Sequence, residues 1–456
     1  MSKTNLAFRF ALHVIFASAA FAQSPCPTAT LNPNATFSSD MVCLVPQVYG
    51  PGGLVGTNNA GPIDPTTKFH HEVHFQASSL ESFLPLNSEI GVQLSQLPFA
   101  SPASGFVFSF NPSLGVVART TESFGPILTE RADTIGRHKL FVGASYQYFD
   151  FDAVGGVNLR NFGAVFHHEE LPGNFIFTND IVATTNRIDL QVHEVTAVAT
   201  FGLTDRLDLS VAIPFVDVRM GVSSAATIVS FESPCCIHQF AIPSPYPSHE
   251  AVASTSQATF FNDHSALGIG DVVVRGKFEV LKHEKAGLAL GVDFHTPTGD
   301  AKNFLGSGTF GARPFATFSY SARVSPHASV GYLWNGQSIL AGNITAGTTA
   351  HLPDVVTYSA GADAGVTHRL TVNIDFIGQS LRKATEINPS TFVDFGGVSH
   401  PNVSTSMGTV NQASVAVGGK MNVVGRLIVS ANVLFRVNDA GLHSKPAPLV
   451  GISYNF

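Results

Sequence analysis

Apolar and polar residues alternate along one segment after another from residue 137 to the C-terminus. In segment 426–438, for example, Val429 and Val433 fall on one face, and Ser430 and Asn432 fall on the other. Because successive side chains of a β-strand point to opposite faces, this pattern predicts strands with one apolar and one polar face. The same alternation recurs in segments 207–215, 272–280, 288–294 and 370–376.

The connections between these segments alternate between short and long. Short turns are predicted at 203–206, 283–285, 325–327, 367–369 and 424–426. Long connections are predicted at 153–186, 223–266, 299–309, 341–354, 385–408 and 439–446. Outer-membrane barrels have tight periplasmic turns and long external loops, so this alternation indicates such a barrel.

Counting the segments gives about 12 strands, each long enough to cross the hydrocarbon core of a bilayer. They are 137–152, 187–203, 206–222, 267–282, 286–298, 310–324, 327–340, 354–367, 369–384, 409–423, 426–438 and 447–456. We therefore predict an all-β fold, a transmembrane antiparallel up-and-down β-barrel over residues 137–456. The alternative is about 14 strands, if part of 85–118 joins the wall as a hairpin.

The composition favours membrane strands over membrane helices. Charged residues make up 12% of the chain, whereas about 25% is typical of soluble domains. The mean hydropathy is +0.20, yet the sequence contains no apolar run of about 18 residues that could form a membrane helix. A secreted soluble β protein is the competing interpretation. The net charge of −7 without a clustered basic stripe argues against nucleic-acid binding.

The first 22 residues have the pattern of a signal peptide. Lys3 and Arg9 supply positive charge, residues 10–21 are apolar, and Ala20 and Ala22 form an A-x-A cleavage site. We therefore expect an exported protein whose mature chain begins at Gln23.

Residues 23–136 differ in texture from the rest and are predicted to form an N-terminal periplasmic or plug-like segment. They are rich in Pro, Gly, Asn, Ser and Thr, and Pro98, Pro102 and Pro112 interrupt the short apolar runs. The alternative is an additional hairpin of the wall. If residues 105–136 fill the lumen, cargo would need a side gate or a movement of the plug.

The four cysteines are Cys26, Cys43, Cys235 and Cys236, and an exported chain can oxidise them. Cys26 and Cys43 could close a small loop, and the adjacent Cys235 and Cys236 could form a vicinal bridge. Their oxidation state is left open. Their spacing does not match a zinc site, so we expect no metal.

Polar residues inside the predicted strands mark the expected lumen. A charged side chain is costly on a lipid-facing surface and ordinary on a water-filled interior. The predicted lumen-lining residues are Asp208, Arg275, Lys277, Asp293, Asn373, Asp375, Asn432 and Arg436. Their mixed signs predict no strong preference for cations or anions.

The last strand ends in an alternating apolar pattern that includes Tyr454 and closes on Phe456. This resembles the C-terminal signature that the barrel insertion machinery reads.

Two motifs resemble a known family. The first is Leu267-Gly268-Ile269-Gly270-Asp271, followed by Arg275 and Lys277, and the second is Pro297-Thr298-Gly299-Asp300, followed by Gly306-Ser307-Gly308. Together they resemble the outer-membrane barrels grouped as meta-pathway phenol-degradation transporters, over roughly residues 137–456. The resemblance implies a membrane barrel that serves as a channel for aromatic or other hydrophobic compounds, and it transfers no functional residues. The glycines are expected to permit tight bends, and Asp271 and Asp300 to cap turns. The alternative for these two aspartates is a calcium site, which would need six to eight oxygen ligands.

We therefore expect a channel or transporter for small, hydrophobic or aromatic compounds in the outer membrane of a Gram-negative bacterium. Its expected partners are outer-membrane lipid, the insertion machinery and the cargo, with no cofactor and no catalytic residues. One alternative is a surface-binding or structural barrel that uses loops 223–266 and 385–408. Another is a barrel hydrolase, for which the run 262–265, Asn-Asp-His-Ser, is weak evidence. The sequence leaves the cargo and the oligomeric state open.

Overall fold

The computed structural model describes residues 26, 37–50, 54, 56–58, 75–98, 100–101, 108–111, 116–119, 123–168, 179–231, 238–240, 256–283 and 285–456. The predicted signal peptide, and Cys235 and Cys236, lie outside these described residues.

Twelve antiparallel strands form the wall of a closed barrel, as the sequence predicts. They are β1 (Leu140–Val154), β2 (Ile181–Gly202), β3 (Leu207–Val229), β4 (Val273–Lys282), β5 (Ala286–His295), β6 (Gly311–Tyr320), β7 (Val324–Asn335), β8 (Asp354–Gly365), β9 (Leu370–Val393), β10 (Ser399–Val424), β11 (Leu427–Arg436) and β12 (Ala447–Asn455).

The barrel closes between its first and last strands. Each strand pairs with the next along the chain, and β12 pairs with β1 in the register Tyr454 opposite Val142 and Ile452 opposite Ala144. The amide N–H of Phe456 donates to the carbonyl oxygen of Leu140 at 2.7 Å. Closure leaves no unpaired strand edge at membrane depth, which is the condition for a sheet to span a bilayer.

The alternating pattern has the consequence expected for a membrane barrel. Along β5, Leu290 and Phe294 point outward and are about half exposed, whereas Ala289 and Asp293 point inward and are buried. The apolar side of β5 therefore faces outward, and its polar side faces the interior. Within the described residues, no helix has the length and apolarity needed to cross a membrane.

Several predicted boundaries were wrong. Residues 325–327 belong to β7, and the turn before them covers residues 321–323. The predicted loop 385–408 is instead a hairpin, because β9 and β10 stay paired out to Val393 opposite Ser399. Polar side chains on both faces hid this extension, since beyond the membrane neither face of a strand has to be apolar.

The predicted strand 267–282 is divided into two pieces. Residues 267–269 end a separate strand, Gln257–Ile269, which pairs with residues 215–227 of β3. The wall strand β4 begins only at Val273 and pairs with the first residues of β3, from Leu207 to Ala212. Gly270 to Val272 connect the two pieces, so β3 has two successive neighbours along its length.

Residues 41–49, helix residues 83–94 and residues 123–136 lie inside the barrel, and no described residue of the N-terminal region joins a wall strand. Strands Phe108–Asn111 and Val116–Arg119 pair only with each other, so the 14-strand alternative is wrong. Residues 41–49 are buried in one apolar cluster with inward side chains of the wall, such as Leu190 and Val218, from the half of the barrel next to the long connections. The hydroxyl groups of Tyr49 and Ser224 of β3 are 2.7 Å apart.

One helix, α1 (Gln76–Leu94), lies in this interior region and was not predicted. Its buried residues Phe83, Leu86, Ile90 and Leu94 recur every three or four positions, which is helical spacing. Pro85 lies within the helix and argues against a helix on sequence grounds. Next to α1, a disulfide joins Cys26 to Cys43 and ties down the start of the described chain.

Candidate functional site: an occupied lumen and a thin wall

The structure places the eight predicted lumen residues on the inward faces of β3, β4, β5, β9 and β11. All except Arg436 are buried. Four of them, Asp208, Arg275, Lys277 and Asp375, contact residues 123–136, which cross the lumen. Three sets of contacts hold this crossing segment.

Glu130 of the crossing segment binds the cations of β4. Its Oε1 accepts a hydrogen bond from Lys277 Nζ at 2.9 Å, and its Oε2 pairs with the guanidinium of Arg275. Lys277 Nζ also donates to the carbonyl oxygens of Arg131 and Asp133, at 3.1 and 2.8 Å. All three protons of this ammonium are therefore used within the protein.

Arg275 also joins the wall strands to one another. It binds Asp293 of β5 through two hydrogen bonds, of 2.6 and 2.9 Å. Arg313 of β6 donates from Nε to the same carboxylate at 3.0 Å. The guanidinium groups of Arg275 and Arg313 and the ammonium of Lys277 thus share the two carboxylates of Glu130 and Asp293 in one connected network.

A second network holds the crossing segment from the opposite wall. Thr129 Oγ1 donates to Asp375 Oδ1 at 2.9 Å, and His327 Nε2 lies 2.8 Å from the same oxygen. Arg131 is fully buried and pairs with Asp363 of β8 at 3.3 Å. A third contact joins the amide N–H of Ile135 to Asp208 Oδ2 at 3.0 Å.

The remaining predicted lumen residues have more local roles. Asn373 donates to Asp375 at 3.2 Å. Arg436 donates to the backbone carbonyl oxygens of Ala440 and Leu442. Asn432 is buried on β11. Neither Tyr454 nor Phe456, the predicted insertion signature, is buried, and their rings meet edge to face at 4.7 Å.

A cavity of about 220 Å³ remains inside the barrel, between α1, the crossing segment and the wall. Its lining is mainly apolar and includes Leu97, Leu128, Leu305 and Leu333. Polar and charged side chains also line the cavity, among them Glu130, Asp271, Arg275, Arg313 and Gln379. Cavities that combine an apolar surface with polar groups bind small molecules that are themselves partly apolar.

A second concavity lies on the outside of the same wall. This lipid-facing groove, of about 890 Å³, is formed by β3 to β8 and includes Leu209, Phe278, Phe294 and Val330. Its lining is almost entirely apolar.

Phe315 of β6 is common to the inner cavity and the outer groove. It points inward between Gly291 of β5 and Gly331 of β7, its paired residues on the two neighbouring strands. A Cβ atom at position 291 would lie 2.3 Å from Cζ of Phe315, so the ring covers the space that a side chain would fill. The guanidinium carbons of Arg275 and Arg313 lie 4.9 and 5.4 Å from the ring centre.

Pairing between the strands is interrupted beside this ring. The register of β6 with β7 includes Ala312 opposite Trp334 and Phe315 opposite Gly331, but Arg313 and Pro314 have no partners on β7. Proline has no N–H to donate, so it weakens a ladder in the middle of a sheet. The wall next to Phe315 is therefore both thin and weakly bonded.

The two family motifs meet at the outer rim of the cavity. Asp271 accepts hydrogen bonds from the amide N–H of Gly299 at 3.0 Å and from that of Ser307 at 2.7 Å. Burial raises the pKa of Asp271, and these hydrogen bonds oppose that rise. Asp271 thus fixes connection 296–309, whose Leu305 lines the cavity.

Most of the motif glycines serve close packing and not the tight bends that the sequence suggests. A Cβ at Gly299 would lie 2.6 Å from the carbonyl oxygen of Leu305, and one at Gly306 would lie 2.2 Å from Asp271 Oδ1. Among the motif glycines, Gly308 alone has a positive φ, of 69°. Asp300 caps a turn as expected, since it accepts a hydrogen bond from the amide of Lys302.

The fold and interior define the class of the protein: a closed twelve-stranded transmembrane β-barrel whose lumen is occupied by its own N-terminal region. Comparison with known families then indicates which group of β-barrels the chain resembles. Residues 175–392 match the model of the family described as "Putative MetA-pathway of phenol degradation", the family that the two motifs resemble.

Solved structures of outer-membrane barrels align with the chain at low similarity. An outer membrane channel from Pseudomonas putida F1 is 11% identical, with a TM-score of 0.43, over 71% of this chain and 98% of that one. The CymD monoaromatic hydrocarbon channel is 10% identical, with a TM-score of 0.32, over 70% and 88%. The P. putida toluene transporter TodX is 10% identical, with a TM-score of 0.29, over 70% and 89%. No curated protein matches the sequence.

Proposed function

We propose that this protein is an outer-membrane channel for small apolar molecules, which pass between the inner cavity and the surrounding lipid through the wall beside Phe315. One observation carries the proposal: a single side chain, between two glycines, separates a largely apolar cavity from an apolar, lipid-facing groove.

The occupied lumen argues against a wide aqueous pore. Residues 123–136 bind charged groups on several strands, and breaking a buried ion pair costs about 3–5 kcal/mol. A continuous water-filled path would require several such contacts to break together. A path through the wall beside Phe315 leaves them intact.

The chemistry of the path suits an apolar cargo. A hydrophilic molecule would lose its hydration in the groove, where it finds almost no polar partner. An apolar molecule gains about 25 cal/mol for each Å² removed from water. The polar groups that line the cavity, such as Gln379 and Thr357, can bind a hydrogen-bonding group on an otherwise apolar cargo.

Uptake by intact Gram-negative cells tests the proposal, because their polysaccharide-bearing outer leaflet slows apolar solutes. Cells with and without the protein are mixed with 1-N-phenylnaphthylamine, which fluoresces on reaching an apolar phase, and with a hydrophilic dye of similar mass. We expect faster uptake of the apolar probe alone. Equal acceleration of both dyes would indicate an aqueous pore, and acceleration of neither would indicate a binding or structural barrel.

A further inference from the structure

The outward surface of β1, β2 and β3 changes abruptly from apolar to charged just beyond the lipid-facing rows. Tyr146, Val195 and Phe215 form one outward row across the three strands, and each is more than a third exposed. The next row outward contains His193 and Asp217. The boundary between hydrocarbon and headgroups must therefore lie close to these two rows.

A chain of ion pairs begins at this boundary. Lys445 Nζ and an Arg160 guanidinium nitrogen lie 2.8 and 2.6 Å from the two oxygens of Asp150. Arg160 also approaches Asp189 at 4.0 Å, and Asp189 binds Arg187 through two hydrogen bonds, of 2.6 and 2.8 Å.

Arg219 belongs to the same surface. It pairs with Asp217 at 2.7 Å. In the sheet, Arg219 lies opposite Gln191, which in turn lies opposite Asp150. Since neighbouring strands are about 4.8 Å apart, Arg219 lies within about 10 Å of the chain of ion pairs. We call Lys445, Arg160, Arg187 and Arg219, with their three carboxylates, the basic rim.

In two ion pairs of the basic rim the cation is much more exposed than its partner. The side chain of Arg219 is 60% exposed and that of Asp217 is 21% exposed. Likewise Lys445 is 45% exposed and Asp150 is 15% exposed. Asp189, in contrast, is more exposed than Arg160. The outer sides of Arg219 and Lys445 are therefore open to a further anion.

We propose that the basic rim binds a phosphorylated glycolipid of the lipid A type, the characteristic lipid of the outer leaflet. This inference rests on the proposed outer-membrane location. The exposed cations Arg219, Arg187 and Lys445 suit the phosphates of an anionic headgroup, and the apolar row below suits its acyl chains. Arginine offers several N–H donors to phosphate oxygens, so three arginines in one surface suit a ligand with more than one phosphate.

A binding titration of the purified full-length protein in detergent tests this proposal. Lipid A and phosphatidylglycerol are titrated separately, and complexes are counted by native mass spectrometry. The test variant is the triple substitution R160Q/R219Q/K445Q. The control is R206Q, which removes an exposed arginine from a turn at the other end of the barrel.

We expect the triple variant to bind lipid A about tenfold or more weakly, since a tenfold change corresponds to about 1.4 kcal/mol, less than one charge-assisted hydrogen bond. R206Q should bind lipid A as the unmodified protein does, and phosphatidylglycerol should bind weakly to all three proteins. Unchanged lipid A binding by the triple variant would overturn the proposal. Equal binding of phosphatidylglycerol and lipid A would also overturn it. So would a dimer of the protein that the triple substitution dissociates, because the basic rim would then be an interface between two copies.

A second measurement separates this inference from the proposed channel. D217N removes a carboxylate from the basic rim, so its affinity for lipid A should equal or exceed that of the unmodified protein; weaker binding would overturn the proposal. Uptake of the apolar probe by cells depends on Phe315 and not on the rim. If the triple variant binds lipid A normally while substitution of Phe315 still alters uptake, the basic-rim proposal fails and the channel stands.

Discussion

The ring of Phe315 covers the backbone of Gly291 on the neighbouring strand, where a Cβ would lie 2.3 Å from its Cζ atom. On the other side, a Cβ at Gly331 would lie 3.1 Å from Cβ of Phe315. Thr357 of β8 also approaches Gly331, since its Oγ1 would lie 3.0 Å from the same Cβ, but among the described residues Phe315 alone lines both the cavity and the groove. Phe315 therefore closes the wall between the cavity and the groove.

Phe315→Ala should open this wall. We expect uptake of the apolar probe by cells to rise several-fold, because the ring is the only side chain common to both linings that can retract from the path. The matched control is Phe318→Ala on the same strand, since Phe318 faces lipid and lines neither concavity. Equal uptake by the two variants would contradict the assigned role of Phe315.

Glu130→Gln should loosen the crossing segment. The substitution removes a buried anion between Arg275 and Lys277, which we expect to destabilise the protein by about 3–5 kcal/mol. Thermal unfolding in detergent measures this loss, and planar-bilayer conductance should increase as residues 123–136 become mobile. The control Asp217→Asn breaks an exposed pair, whose loss costs at most about 1 kcal/mol. Similar stability losses for both variants would show that Glu130 does not anchor the segment.

Asp271→Asn should release connection 296–309. An amide cannot accept both backbone hydrogen bonds as the carboxylate does, so the amides of Gly299 and Ser307 should exchange hydrogen about tenfold faster or more. Hydrogen exchange with mass spectrometry measures this. The control is Asp300→Asn in the same connection, at an exposed carboxylate. Unchanged exchange in Asp271→Asn would mean that other contacts hold the connection.

The anchoring of helix α1 should depend on pH. Burial raises the pKa of Glu89 to about 8, and the nearby Glu386 acts in the same direction, while hydrogen bonds from the amide of Ile387 and from Gln93 oppose it. The folded state thus holds a proton on Glu89 that the unfolded chain releases above about pH 4.3. Stability from this group is complete below that pH and is lost as the pH rises through 8.

Hydrogen exchange of α1, corrected for the intrinsic effect of pH, should therefore show weaker protection at pH 9 than at pH 6. Glu89→Gln keeps the shape of the side chain and removes its charge, so protection in that variant should not change between these pH values. The same loss of protection in Glu89→Gln would place the titrating group elsewhere.

The wall was predictable because each strand carries its own pattern. In β11, every second position from Leu427 to Phe435 is apolar, and the positions between include the polar Ser430 and Asn432, whatever the neighbouring strands contain. A barrel in lipid requires an apolar outer face on every strand, so the signal repeats around the ring. It fades beyond the membrane, and for that reason the outer ends of β9 and β10 were taken for a loop.

The functional region was not predictable in the same way, because it depends on contacts between distant segments. Glu130 meets Arg275 across 145 residues of sequence. Phe315 and Phe318 look alike within strand β6, and only the glycines of β5 and β7 distinguish them. Pro314 was the one local signal, since a proline in the middle of a predicted wall strand indicates a weakened ladder.

A reversible lock across the wall tests the central claim most directly. Ala312 and Trp334 are paired on β6 and β7 beside the unpaired Pro314. Directly opposed residues of antiparallel strands are close enough for a disulfide. In the double variant A312C/W334C, oxidation should therefore fix these strands together beside the path. A144C/I452C, a paired site on β1 and β12, supplies the control disulfide.

Uptake of the apolar probe is measured in the same cells before and after reduction. The account predicts that the oxidised A312C/W334C protein takes up the probe no faster than cells without the protein. Reduction should restore uptake, and A144C/I452C should be insensitive to reduction. Rapid uptake by the oxidised A312C/W334C protein would contradict passage through the wall beside Phe315.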